Sequence, residues 1–279
     1  MLTTSFEMLQ KAYEGHYAVP AINTQGGTYD IIRAICMAAE ELKSPIILAH
    51  YVSTGEYSGH DWFFETARWM AEKVSVPVAV HLDHGDSFER CMEMLKIGFT
   101  SIMYDCSTDS YENNVRRVAR MVEIAHLFGA TVEGELGHVG ANETGSGDEG
   151  IYTQPEQARD FVERTGVDAL AVAIGTAHGA YKEKPKLDIG RLSQIAHTVS
   201  TPLVLHGGSG LSNEDFKNCV ANGICKVNIF TDINCAAARA AHDGYREGCG
   251  LTDLQDGITQ AVKEETMKKM RVFGSAGRG

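Results

Sequence analysis

Short apolar runs alternate with longer amphipathic stretches along the whole chain. The runs, rich in Val, Ile and Ala, predict strands near 17–22, 45–50, 76–82, 100–104, 130–136, 168–174, 202–206 and 224–229. Helical periodicity fills 28–42, 60–73, 86–97, 110–128, 155–165, 188–199, 212–222 and 232–245. Asp86 stands where a cap would head the helix that Gly98 stops. Strands this continuously apolar read as a parallel sheet covered on both faces. Eight strand-then-helix units in 279 residues predict an α/β fold, a (β/α)8 TIM barrel, with a helical C-terminal extension beyond about 246. No linker or low-complexity stretch divides residues 1–279, so one domain is expected. Residues 138–150, HVGANETGSGDEG, are polar and glycine-rich, which predicts a mobile loop at the catalytic face.

Three apolar runs end abruptly in chemically able side chains. VPVAVHLDH ends in Asp83 and His84, LAVAIGTAH in His178, and PLVLHGGSG carries His206. In a barrel all strand tips meet on one rim, whatever their separation in sequence. That rim would gather Asn23, His50, Asp83, His84, Asp105, Glu135, His178, His206 and Asn228. Three imidazoles suit Zn²⁺ with an open fourth position, and Asp83 stands beside one of them as a general acid/base. A lone histidine at a strand end is more often a hydrogen-bonded structural group; three, with a carboxylate next to one, outweigh that reading. His81 shares a face with Asp83 and reads as support behind the metal ligands. Asp105 and Glu135 would orient the histidines or hold a second cation, while His50 and His138 would reach the substrate or serve the structure. HGGSG places Gly207, Gly208 and Ser209 between a strand and a helix, a cradle for a phosphate, with Asn228 and Thr231 of NIFT beside it. Neither a Walker loop nor a GxGxxG after the first strand occurs, which disfavours nucleotide cofactors.

Charge narrows the partners. With 25 basic and 37 acidic residues the formal net charge is -12, which argues against nucleic acid or an anionic membrane as a partner. Seven scattered cysteines without a CxxC pair read as reduced thiols. The N-terminus lacks the apolar core of a signal peptide, and no run is long enough to span a membrane. A cytoplasmic protein is expected.

With HLDH, ELG, AVAIGTAHG, LVLHGGSG, KVN and the closing FGSAG in this order, the chain resembles the class II, zinc-dependent ketose-bisphosphate aldolases over nearly its whole length. The resemblance implies a TIM barrel, a homodimer or homotetramer, and a sugar-phosphate substrate cleaved to dihydroxyacetone phosphate and an aldehyde. It implies His84, His178 and His206 as zinc ligands and Asp83 as the acid/base at the C4 hydroxyl. It selects Glu143, eight residues after Glu135, for the carbon-bound proton. Gly179, Gly207, Ser209, Asn228 and Thr231 match positions that hold the C1 phosphate and a nearby Na⁺ or K⁺. Three positions depart from the family pattern. Gln255, in TDLQDG, stands where an arginine usually grips the distal phosphate; Tyr51 replaces a Ser or Thr; and Phe230 replaces a small or polar residue. These departures lead to an expected ketose 1-phosphate with an unphosphorylated or unusual aldehyde half, the alternative being an ordinary fructose- or tagatose-1,6-bisphosphate aldolase. Arg246 offers a substitute for the missing arginine. Lys226 on the eighth strand raises a rival, a Schiff-base aldolase, although its apolar neighbours favour a structural lysine. A metal-dependent hydrolase would want an HxH pair on the first strand, where AIN stands at 21–23. A non-catalytic sugar-phosphate sensor would be expected to lose Asp83 or Glu143, and both are present.

Overall fold

A computed structural model describes residues 1–137, 152–176 and 185–279. Its eight strands close into a parallel barrel in sequence order. They are β1 (Val19–Asn23), β2 (Ile46–Tyr51), β3 (Val78–Gly85), β4 (Ser101–Tyr104), β5 (Thr131–Leu136), β6 (Ala169–Val172), β7 (Leu203–Leu205) and β8 (Ile224–Ile229). Each matches an expected run within a few residues. The outer layer follows: α1 (Phe6–Gly15), α2 (Tyr29–Leu42), α3 (Val52–Ser58), α4 (His60–Ala71), α5 (Phe88–Ile97), α6 (Tyr111–Leu127), α7 (Pro155–Thr165), α8 (Ile189–Thr198), α9 (Asn213–Ala221), α10 (Thr231–Gly244) and α11 (Thr252–Phe273). None of the described helices is long and apolar enough to cross a membrane.

Alternation along the strands builds two cores. Outward side chains such as Ile22, Leu48, Val80 and Ile102 pack against the helices in one large cluster. Inward positions near the barrel floor are mostly small, including Ala21, Ala79, Ala169 and Ala171, and α1 closes them with Met8, Leu9 and Ala12. Ser5, just before α1, bonds to Ser101 Oγ at 3.1 Å and Thr131 Oγ1 at 2.6 Å. Apart from this hydroxyl cluster the barrel floor is apolar, and the charged groups stand above it.

Two local expectations change. Asp86 does not cap α5; Ser87 does, accepting the backbone N–H of Arg90, because its extended backbone aims the hydroxyl into the first turn. Helix α3 was not expected, since VSTGEYS is too short to show periodicity. Gly55 within α3 is required by close approach, because a Cβ there would lie 2.2 Å from His50 Nε2. The terminal extension is helical as expected: α11 lies against α2 and α10, and Gly277 and Gly279 donate to the carbonyls of Leu42 and Lys43 at the end of α2.

Candidate active site

At the carboxyl end of the barrel lies a cavity of about 280 Å³ lined by Asn23, Tyr51, Asp83, His84, His206, Gly207, Gly208, Ser209, Asn228, Phe230 and Thr231. All eleven were singled out from the sequence. Strand β3 delivers two of them through an irregular tip: its register against β4 shifts between Leu82 and Gly85, and His84 has φ 51°. A left-handed backbone at a non-glycine residue costs about 1–3 kcal/mol, which the surrounding structure must offset.

Each of the two described imidazoles is held through one nitrogen. His84 Nδ1 donates to Asp105 Oδ2 at 2.7 Å, and His206 Nε2 donates to Glu133 Oε1 at 2.7 Å. The other two nitrogens converge: His84 Nε2 lies 4.0 Å and His206 Nδ1 3.9 Å from the same oxygen, Asp83 Oδ1. Their ring centroids are 4.7 Å apart. Imidazoles backed by carboxylates and aimed at one point are the usual environment of a divalent metal. Ligand atoms of Asp83, His84 and His206 all lie within 4.8 Å of one another, so the donor set fits zinc. His84, Asp105 and Glu135 form a second such group, which shares His84 with the first.

The model of the family described as fructose-bisphosphate aldolase class-II matches residues 3–278. This chain belongs to the class II fructose-bisphosphate aldolase family. The aldolase is 41% identical over 307 residues to the fructose-bisphosphate aldolase of Thermus caldophilus, covering 100% of both chains. It is 39% identical over 287 residues to that of Geobacillus stearothermophilus, covering 99% of this chain and 98% of that protein. Among solved structures, the YdjI aldolase from Escherichia coli K12 superposes with a TM-score of 0.90 at 36% identity, covering 100% of this chain and 99% of that one. Such enzymes are lyases.

Asp83 accepts from Asn23 Nδ2 at 2.7 Å through Oδ2 and from Asn228 Nδ2 at 2.8 Å through Oδ1. Burial alone would raise its pKa; the charges of His84, His206 and Lys226 and the bond from Asn23 outweigh burial and hold it below the ordinary value. Asn23 Oδ1 is buried without a hydrogen-bond partner, so a polar acceptor remains at the cavity wall. Gly208 is closely packed, since a Cβ there would stand 3.1 Å from Val227 Cγ1. Ser209 Oγ accepts the backbone N–H of Phe230 at 3.2 Å and of Asp232 at 3.5 Å, which ties HGGSG to the start of α10. Tyr51 stands edge-on to both His84 and Phe230, with centroids 6.3 Å and 6.4 Å away.

Other expected residues fall elsewhere. His50 does not reach the cavity of the aldolase: Tyr51 takes the inward place, and alternation turns His50 toward α4, stacked on Phe63 at 4.1 Å. There His60 donates to His50 Nε2 at 2.9 Å while accepting from Arg90. Burial, with help from His60 and Arg90, pushes the His50 pKa down to about 3, so the ring is neutral. Gln255 Nε2 donates to Asp30 on α2 at 3.2 Å, and the Arg246 guanidinium turns back onto carbonyls at the end of α10. Neither lines the cavity. His81 sits below it, bonded to Ser101 at 2.8 Å. His178, Gly179, Glu143 and His138 lie outside the described residues.

Glu133, which the sequence reading did not single out, and Lys226 lie directly beneath the site. Glu133 holds His206, and Lys226, read as structural, donates to Glu133 Oε2 and to Asn228 Oδ1, both at 2.7 Å. The signal was present in TVEGEL: alternation puts Glu133 on the same buried face as Glu135, and a buried carboxylate needs partners.

Proposed function

We propose that this aldolase cleaves a ketose 1-phosphate reversibly to dihydroxyacetone phosphate and an aldehyde that carries no phosphate. The observation that carries the reading of the site is the convergence of His84 Nε2 and His206 Nδ1 on Asp83 Oδ1. His84 and His206, with His178, would hold the zinc, which when bound supplies a Lewis acid for the ketone oxygen. Asp83, ionised and fixed by two asparagine amides, takes the proton of the C4 hydroxyl. The C3–C4 bond then breaks, its electrons pass toward C2, and the aldehyde leaves. Glu143 returns a proton to C3, a role that rests on its spacing from Glu135. Gly179, the HGGSG turn, Asn228 and Thr231 would receive the C1 phosphate, with Na⁺ or K⁺ beside it. Asn228 also donates one amide proton to Asp83, so it links the two ends of the cavity.

The unphosphorylated aldehyde half is supported by the lining. Among its described residues there is no Arg or Lys, and Tyr51 and Phe230 form an aromatic wall suited to stacking and neutral hydrogen bonds. A standard fructose- or tagatose-1,6-bisphosphate substrate is the second reading, and the names of the relatives favour its fructose form. We assign a single domain, a homodimer or homotetramer and a cytoplasmic location on the same footing. Comparing kcat/KM for fructose 1,6-bisphosphate, tagatose 1,6-bisphosphate and a panel of ketose 1-phosphates decides the substrate. A preference for the bisphosphates by about tenfold, roughly 1.4 kcal/mol, overturns the proposal.

A further inference from the structure

Below the cavity, inward side chains of β5 and β8 meet across the barrel in a buried polar chain. Lys226 bonds to Glu133 and to Asn228; Glu133 bonds to His206; Asn228 bonds to Asp83. All five are buried, with Lys226 and His206 each only 1% exposed. The third direction of the ammonium points at His81 Nε2, 3.5 Å away. Burial, reinforced by the charge of Lys226, drives the pKa of His81 far down, so that ring is neutral.

The chemistry of these groups removes ambiguity from their neighbours. An ammonium only donates, so Asn228 must turn Oδ1 toward Lys226 and therefore Nδ2 toward Asp83. A carboxylate only accepts, so Glu133 fixes the proton of His206 on Nε2 and leaves the lone pair on Nδ1, the nitrogen facing Asp83 Oδ1. Buried ion pairs contribute little net stability, because desolvation offsets their attraction. A role in stability is thus a weak explanation for this pair, and a role in orientation is a strong one.

We infer that Lys226 and Glu133 act as one positioning pair. Glu133 sets the tautomer of the ligand His206, and Lys226 sets the proton carrier Asp83 through Asn228. The inference rests on the ligand and acid/base roles proposed above for His206 and Asp83. In this role Lys226 donates to Glu133 and Asn228 below the cavity and is not among the residues that line it.

The pair makes an unusual prediction about substitutions. In Glu133→Gln the introduced amide must turn its oxygen to Lys226, so its NH₂ faces His206 Nε2. That nitrogen then becomes an acceptor and the proton moves to Nδ1. Zinc affinity, measured by chelator competition, is expected to fall about 10–100-fold, with the fold retained. Adding Lys226→Met frees the amide to turn over and accept from His206 again, so the double variant is expected to regain most of that affinity. Its kcat at saturating zinc is expected to stay at least about tenfold low with KM little changed, because Asp83 has lost its oriented donor. Should Glu133→Gln fail to fold, Lys226→Met/Glu133→Gln is compared with Lys226→Met/Glu133→Leu; only the first offers His206 an acceptor and is expected to bind zinc more tightly. Wild-type zinc affinity in Glu133→Gln, or a double variant that binds no better than the single one, overturns the pairing. Wild-type kcat in the zinc-saturated double variant overturns the link from Lys226 to Asp83. A native protein that binds no zinc overturns the reading of His206 as well, which separates that failure from a failure of the pairing alone.

Discussion

Replacing Asp83 by alanine tests whether proton transfer and metal binding are separate tasks in this site. The substitution removes a buried carboxylate whose two oxygens accept from Asn23 at 2.7 Å and Asn228 at 2.8 Å. Each amide left without an acceptor costs about 1–3 kcal/mol, partly offset because a buried charge also disappears. The fold should therefore survive with a lowered thermal midpoint. Loss of a positioned acid/base lowers turnover about 10²–10⁴-fold, roughly 2.7–5.5 kcal/mol in the activation barrier. The backing of the imidazoles by Asp105 and Glu133 is untouched, so zinc should remain at wild-type stoichiometry. The assay pairs metal analysis with kcat for cleavage under saturating substrate. Full turnover in Asp83→Ala refutes its role as proton carrier, and loss of zinc in parallel with turnover shows that it is a ligand instead.

Three further outcomes are expected. Gly55→Ala places a methyl group 2.2 Å from His50 Nε2 and 2.3 Å from His60 Nδ1, and should cost about 1–3 kcal/mol in thermal or denaturant unfolding; an unchanged midpoint contradicts the packing described. Asp105→Ala removes the acceptor of His84 Nδ1 and should weaken zinc binding about 10–100-fold by chelator competition, whereas unchanged affinity shows that Asp105 does not orient the ring. In the metal-free protein burial would lower the pKa of His84, but Asp105, Asp83 and Glu135 raise it from 6.5 to about 9, so its stabilisation is complete below pH 6.5 and lost as pH rises through about 9. The metal-free thermal midpoint should fall across that window while zinc affinity rises, and two flat profiles contradict this.

Strand order and strand tips were legible in the sequence because a barrel strand is apolar along its length and ends where the chemistry begins. Alternation then placed Asp83 and His81 on one inward face. What the sequence concealed were partners that meet across the barrel: Glu133 and Lys226 lie 93 residues apart, and nothing local links them. Between the two roles open to His50, substrate contact or structure, the sequence could not choose for a related reason. His50 stands at a strand tip, but parity with Tyr51 decides which of the two looks inward. The short helix α3, with a glycine at its centre, shows no apolar stripe, and its packing over His50 and His60 is a tertiary fact.

The claim at the centre of this account is that catalysis is metal-assisted rather than lysine-based. Cleavage of a ketose 1-phosphate should be measured before and after metal removal with EDTA, again after stoichiometric zinc is restored, and in parallel with borohydride added during turnover. The account predicts that EDTA abolishes activity, that zinc restores it, and that borohydride attaches no substrate to Lys226. Activity that survives complete metal removal, with a lysine trapped by borohydride, would contradict it.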